Sequence, residues 1–197
     1  MCRRTAIKSL LCIALSVAAW PPPPAARAAE LSPRPLALML LRILAYDRNL
    51  KTRSGGKQAP IVVLYQEGNQ ASETMQTDLA NALEDLSSSV SVSGLRVKVN
   101  AVAYSSAADL DGKLAAERPA ALFVCTGLAS ALPQIVAMSR KRSVLSFTIN
   151  SEFLKAGLSI GFGRGEDRVN IVVNLPATRA EGADLDAALL RVAEVMR

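Results

Sequence analysis

Short apolar runs alternate with helical stripes along most of this chain. After Ser32, with Pro33 and Pro35 in a first turn, Leu36, Leu40, Ile43 and Leu44 recur at helical spacing, and the stripe ends in the polar run Asp47 to Thr52. Ser54-Gly55-Gly56 marks a loop, and Ile61 to Tyr65 is a continuous apolar run of the kind that forms a strand covered on both faces. Ser72 to Leu86 predicts a helix with Met75, Leu79, Leu83 and Leu86 on one side. Leu95, Val97, Val99 and Ala101 alternate with Arg96, Lys98 and Asn100, a half-covered strand near a sheet edge. Ala107 to Glu117 predicts a helix with Leu110 and Leu114 inward, ended by the restriction Pro119 places on its predecessor. Ala120 to Cys125 is the most apolar strand and so the central one.

A helix over Gly127 to Ser139 follows, with Pro133 in its first turn or at a kink, then a strand over Val144 to Ile149 and a short helical turn over Ser151 to Lys155. Two strands come next with no helix between them, Leu158 to Gly163 and Val169 to Leu175, joined by the hairpin loop Arg164-Gly165-Glu166-Asp167. Pro176 to Glu181 reads as a short turn. Asp184 to Met196 reads as a last helix, with Leu185, Ala188, Leu189, Val192 and Met196 on one side. Repeated strand-helix-strand units imply parallel pairing, right-handed crossovers and helices on both faces. The predicted fold is a three-layer α/β/α open sheet, mostly parallel, with an antiparallel C-terminal hairpin at one edge.

The first 28 residues stand apart from this pattern. Arg3, Arg4 and Lys8 open a segment whose apolar run, Ser9 to Trp20, falls well short of the roughly 20 residues that span a membrane. Pro21 to Pro24 end it, and Ala26-Arg27-Ala28 supplies the small-x-small pattern that a signal peptidase cuts after. Residues 1–28 therefore read as a signal peptide for export to the periplasm, cleaved near Ala28, and 29–197 as a single domain with no membrane-spanning segment. Arg3-Arg4 echoes a twin-arginine signal, so the export route stays open.

Removing the leader changes the chemistry on offer. Four of the 23 basic residues and none of the 17 acidic ones lie in it, so the net charge falls from +6 to +2. With charges interspersed and an aromatic content of 4%, nothing marks a nucleic-acid platform. Cys2 and Cys12 leave with the leader, which keeps only Cys125 and rules out an internal disulfide. The chain has no histidine. A Ser-His-Asp triad, a Cys-His pair and a histidine-based zinc site are excluded by inventory, and the chain is expected to bind rather than catalyse, with no cofactor and no metal.

Ligands of open parallel sheets collect beyond the carboxyl ends of the strands. Candidate ligand-binding residues at those ends are Gly68, Asn69, Ser105, Thr126, Gly127, Asn150 and Ser151, which precede helices whose first N–H groups favour an anion or a polar ligand. Helix capping is the competing and commoner use of such residues. Gly161-Phe162-Gly163-Arg164-Gly165 leads into a strand rather than a helix, so it reads as a hairpin needing positive φ and not as a phosphate cradle. Cys125 reads as an inert core thiol, and Arg140-Lys141-Arg142 as a solvated helix C-terminus.

The stretch from Val144 to Val195 resembles the YfiR family of periplasmic proteins. The likeness lies in Phe153, Gly157, Ile160-Gly161-Phe162, a polar turn, Arg168, Ile171 to Leu175, Ala177, Arg179, and Leu189-Leu190 with Ala193. The helix carrying Leu41, Ile43 and Tyr46, leading into Ile61 to Leu64, is also similar. The resemblance implies a homodimeric regulator that restrains an inner-membrane diguanylate cyclase, and hence cyclic-di-GMP signalling and biofilm formation, by binding the enzyme's periplasmic domain. It calls for an exposed apolar patch, expected on the first helix around Leu38, Leu41 and Ala45. Two departures stand out: relatives with cysteine pairs form disulfides where this chain keeps Cys125 alone, and Asp47-Arg48-Asn49 replaces an aromatic, proline-rich segment. The alternative is a periplasmic small-ligand binder resembling one lobe of a solute receptor.

Overall fold

Strand residues too apolar to leave in water set the frame. The computed structural model describes residues 32–164 and 169–197. Eight strands form one sheet: β1 (Gln58–Tyr65), β2 (Ser91–Val92), β3 (Leu95–Ala103), β4 (Ala121–Val124), β5 (Leu145–Thr148), β6 (Ile160–Arg164), β7 (Val169–Asn174) and β8 (Glu194–Met196). Their order is β2-β3-β1-β4-β5-β6-β7-β8, and all neighbours pair in parallel except β2–β3 and β6–β7. The three-layer, mostly parallel α/β architecture is as the alternation predicts, and β4 is central as its composition requires.

Alternate residues of the inner strands feed two cores. Ile61, Val63, Phe123, Leu145 and Phe147 face the layer formed by α1 (Pro33–Ala45) and α3 (Gln70–Ser87). Val62, Leu64, Leu122 and Val124 face α4 (Ala107–Glu117) and α5 (Leu132–Arg142). Helix α1 starts with its prolines at the first turn, where a missing N–H costs nothing, and buries Leu36, Leu40, Leu41, Ile43 and Leu44. Each such side chain contributes about 1.5–3 kcal/mol. Phe147 and Phe162 stack with ring centroids 6.1 Å apart and tie β5 to β6.

Four expectations are corrected. The helix expected over Asp184 to Met196 is only a four-residue turn, α8 (Ala187–Leu190), followed by β8, which pairs with β7 and becomes the outermost strand beyond the hairpin. The reason lies outside the segment: Asp47 bridges Leu185, its carboxylate accepts the Asp184 N–H, and the Asp186 N–H donates to the Tyr46 carbonyl, so 184–186 are held extended. Second, α5 starts at Leu132 after a 3-10 turn over Ala129–Ala131, because Pro133 is tolerated only in a first turn, and it runs on to Arg142. Third, Gly161 and Gly163 do not have positive φ. Gly161 is required by packing, since a Cβ there lies 2.7 Å from Leu154 Cδ2. Gly165 to Asp167, the rest of that loop, Arg168 after it, and residues 1–28, expected to be a signal peptide, lie outside the described residues. Fourth, Asp47, which opens the polar run after the stripe, is buried and paired with Arg53.

Small elements complete the frame: α2 (Leu50–Arg53), α6 (Ser151–Lys155) and α7 (Leu175–Ala180). A two-residue turn, Ser93-Gly94 with φ 52° and 80°, folds β2 onto β3. Among the described residues no helix is long and apolar enough to cross a membrane.

Candidate functional site

The chain leaves β1 for β3 on one side, through α3, then crosses through α4 to β4 on the other side. The carboxyl ends of β1 and β4 therefore flank the reversal point of the sheet, where open α/β folds keep their ligand crevice. Two of the predicted segments meet there. Gly127, at φ 89°, lies so close to Asn69 that a Cβ would be 2.9 Å from its Nδ2 and 3.4 Å from Gln66 Cβ. The Asn69 side chain thus packs against the mouth of the crevice.

Most of the other candidates have local work. Asn69 Oδ1 accepts the Ser72 N–H at 3.1 Å, and the Gly68 N–H donates to Glu73 Oε1 at 2.8 Å, together capping α3. Ser106 Oγ accepts the Asp109 N–H, while Ser105 Oγ donates to the Asp109 carboxylate at 2.7 Å. Asn150 Oδ1 accepts the Glu152 N–H at 2.9 Å and caps α6; Ser151 is exposed. Ser105 follows β3, two strands from Thr126, so it does not share the β1–β4 crevice. Thr126 differs from all of these. Its Oγ1 is sealed from solvent and is the sole buried side-chain polar atom among the described residues with no hydrogen-bond partner.

The first-helix patch divides. Leu41 is buried in the core of the subunit, because α1 packs with α3 above the sheet, and is not available to a partner. Leu38 is half-buried and Ala45 exposed. Ala45 borders a depression of about 410 Å³ with Tyr46, Arg48, Lys51, Ser93 and Asp186. Tyr46, at 43% exposure, is one of two large apolar side chains left in solvent among the described residues. Arg48 there donates to Asp186 at 2.8 Å, and the Ala188 N–H and this arginine hold the Asp186 carboxyl below its ordinary value.

Two buried carboxylates escaped the sequence reading. Asp47 is paired with Arg53, their side chains 0% and 4% exposed. Arg53 also donates to the carbonyls of Ala120 and Ser143, just ahead of β4 and β5, and Asn49 donates to the Gly182 carbonyl. Asp47-Arg48-Asn49 is therefore the joint between α1 and the C-terminal segment. Glu181, after α7, is wholly buried. Its Oε1 accepts from Ser139 and Ser146 hydroxyls at 2.7 Å each, and its Oε2 from the Ser146 N–H at 2.8 Å and the Ser159 hydroxyl. Burial pushes this carboxyl up against the pull of the three serines. The legible signal is Ser146, a polar residue inside an apolar strand.

The remaining groups are inert or solvated. Cys125 is buried and its thiol is pushed up to about 12 by burial, which removes it as a nucleophile at neutral pH. Arg142 and Lys141 hold the Asp111 carboxyl of α4 well below the usual range, so the basic run ties α5 to α4.

The model of the YfiR/HmsC-like family (DUF4154) matches residues 36–194, and the chain belongs to that family, a family of periplasmic regulators. No curated protein matches the chain. Among solved structures it is similar to a conserved domain protein from Vibrio cholerae, with 15% identity and a TM-score of 0.60 over 85% of this chain and 61% of that one. It is also similar to a substrate binding protein with adhesive properties from Clostridium difficile (14%, TM-score 0.55, 76% and 57%). An ABC domain in complex with L-Trp from Streptococcus pneumoniae is similar too (14%, TM-score 0.52, 78% and 62%). At these identities the likeness is one of fold, and this chain spans about three fifths of each of those chains.

Proposed function

We propose that this chain is exported on residues 1–28, cleaved near Ala28, and acts in the periplasm as a homodimer that restrains an inner-membrane diguanylate cyclase by contact with its periplasmic domain. The observation that carries this reading is the family match over residues 36–194, which covers both cores and the C-terminal strands. The exposed surface at the end of α1, with Ala45, Tyr46 and half-buried Leu38, supports a protein contact. Deleting the gene and measuring cyclic-di-GMP and biofilm tests it. Both are expected to rise; unchanged values under every growth condition tried would count against the reading.

A second reading, a periplasmic small-ligand binder, is favoured by one atom. The unpartnered Thr126 Oγ1 stands at the β1–β4 reversal point, beside Gly127 and Asn69, where a polar ligand group would supply the missing bond. A thermal-shift screen with amino acids, nucleotides and anions distinguishes it, since a tight ligand raises apparent stability by mass action. No shift with any of them removes this reading.

A further inference from the structure

Charge is unevenly spread along the chain. Six of the 19 basic residues in 29–197 and one of the 17 acidic ones fall between Pro33 and Lys57, so this segment carries +5 while the remaining 13 basic and 16 acidic residues leave −3 on the rest. Its single acid, Asp47, is buried against Arg53 and offers nothing to a partner. Arg34, Arg42, Arg48, Lys51 and Lys57 are all exposed, and α1 and α2 contain no acidic residue. Arg48 is engaged by Asp184 and Asp186, whereas Arg34, Arg42, Lys51 and Lys57 make no ion pair among the described residues.

The helix sets these charges on one surface. Because α1 buries Leu36, Leu40, Leu41 and Leu44, its solvent side is left with Arg34, Pro35, Arg42 and Ala45, and with half-buried Leu38 and Met39 between them. At 3.6 residues per turn these positions span about 140° of the helix circumference, and Arg34 and Arg42 stand about 12 Å apart along its axis. Lys51 joins the same surface at the far end, where it borders the depression beside Ala45 and Tyr46.

We propose that this face of α1, with Lys51 at its end, rests on the anionic headgroups of a lipid bilayer. A protein contact concentrates aromatic and apolar residues at its centre and sheds charge there. Here unpaired guanidinium groups hold the centre, on the convex surface of a single helix. An anionic bilayer asks for a row of cations within reach of its phosphates, with short apolar side chains between them that the headgroup layer tolerates. Guanidinium suits that task, since it pairs with phosphate through two parallel hydrogen bonds. Repulsion sets the orientation: α3, packed beside α1, exposes Asp78, Glu84 and Asp85, so a negative surface turns that helix away and draws the α1 side in.

Contact with a bilayer goes beyond the proposed function and requires neither the cyclase nor a second copy of the chain. The whole chain is expressed, purified as the cell processes it, and sedimented with vesicles of phosphatidylcholine alone or mixed in equal parts with phosphatidylglycerol. Arg34→Gln/Arg42→Gln/Lys51→Gln removes the row, while Arg96→Gln/Lys98→Gln/Lys155→Gln removes as many exposed cations elsewhere and leaves the same net charge. Every form is processed alike, so the difference between the two triple variants reads the α1 face alone. Pro35→Trp reports the contact by its emission, against Ala115→Trp on α4 in the opposite layer, each compared with the wild type.

Each basic residue near an anionic surface strengthens binding by about fivefold, so we expect the α1 variant to bind mixed vesicles on the order of 100-fold more weakly than the wild type, and the control variant to lose less than about tenfold. The wild type is expected on mixed vesicles and not on phosphatidylcholine, and is released at about 1 M salt, where the Debye length falls to about 3 Å. Emission of Pro35→Trp shifts to the blue on mixed vesicles, and that of Ala115→Trp does not. Equal binding to both kinds of vesicle, an equal loss in the two triple variants, or a blue shift in Ala115→Trp alone overturns the α1 contact. If the α1 variant loses its circular dichroism, the two tryptophan variants decide. A folded wild type that ignores mixed vesicles also overturns the bilayer contact, hands the cationic face to an acidic protein, and leaves the reading of the chain as an exported regulator standing.

Discussion

Replacing Glu181 with glutamine exposes the logic of the buried carboxyl. In its ionised form the group receives four donors, two on each oxygen. Protonated on Oε1, it donates to Ser139, whose hydroxyl turns to the Val136 carbonyl 3.0 Å away, and nothing is left unpaired. Glutamine has no such solution. Its carbonyl must stay where the Ser146 N–H donates, which places NH2 against the Ser139 and Ser146 hydroxyls. Ser139 can turn away, but Ser146 Oγ already accepts the Ser159 N–H at 2.9 Å, so its own hydrogen loses its acceptor. One buried orphan donor costs about 1–3 kcal/mol, which for a domain of this size lowers Tm by about 2–4 °C per kcal/mol.

The pH dependence fixes the sign. Burial raises the folded carboxyl above its unfolded value, so the folded state holds the proton longer. Its contribution to stability is full below the unfolded value near 4.5 and is lost as pH rises through the folded value. The wild type is therefore expected to exceed Glu181→Gln most clearly at acid pH, with the gap narrowing upwards. Urea unfolding followed by far-ultraviolet circular dichroism is the assay, since the single tryptophan, Trp20, lies in the segment proposed to be removed on export. Equal stability below pH 4.5, or a gap that does not change with pH, would mean that the buried Glu181 carboxyl does not hold its proton longer in the folded chain.

Three further outcomes follow from the same contacts. Arg53→Ala leaves Asp47 buried without its partner and is expected to cost about 3–5 kcal/mol in urea unfolding, with part recovered in Arg53→Ala/Asp47→Ala; a loss below about 1 kcal/mol would contradict the burial of the pair. Gly127→Ala meets Asn69 at positive φ, and a loss of about 1–3 kcal/mol, reduced by adding Asn69→Gly, is expected by the same method. Cys125 is expected to resist a thiol reagent in the folded chain at neutral pH and to react fully in denaturant; rapid labelling without denaturant would contradict its burial.

Regular segments were legible because one local rule governs each. The prolines at 33 and 35, the apolar run after Pro60 and the stop before Pro119 give α1, β1 and α4 with boundaries close to those observed. The parallel pairing followed from the alternation of strands and helices. What escaped depends on distant partners. The stripe Leu185 to Met196 fits a helix by spacing, yet Asp47, far earlier in the chain, holds 184–186 extended and the open edge of β7 takes Glu194–Met196 as a strand. Asp47 itself looked like solvent because Arg53, which makes its burial tolerable, reads as one more polar loop residue. Glu181 closed a turn in the sequence and a buried network in three dimensions, since Ser139, Ser146 and Ser159 come from three separate elements. At the strand ends residue type was informative and geometry was not: Asn69 and Gly127 meet, Ser105 stands apart, and only Thr126 is left without a partner.

Restraint exerted from the periplasm is tested most directly by complementation. A strain lacking the gene receives either the whole chain or residues 29–197 with a new initiating methionine, and cyclic-di-GMP is measured in both. Restraint that depends on export requires that the whole chain return the nucleotide to its lower level while the shortened chain, present in equal amount in the cytoplasm, does not. Restoration by both forms, or by neither, would contradict it.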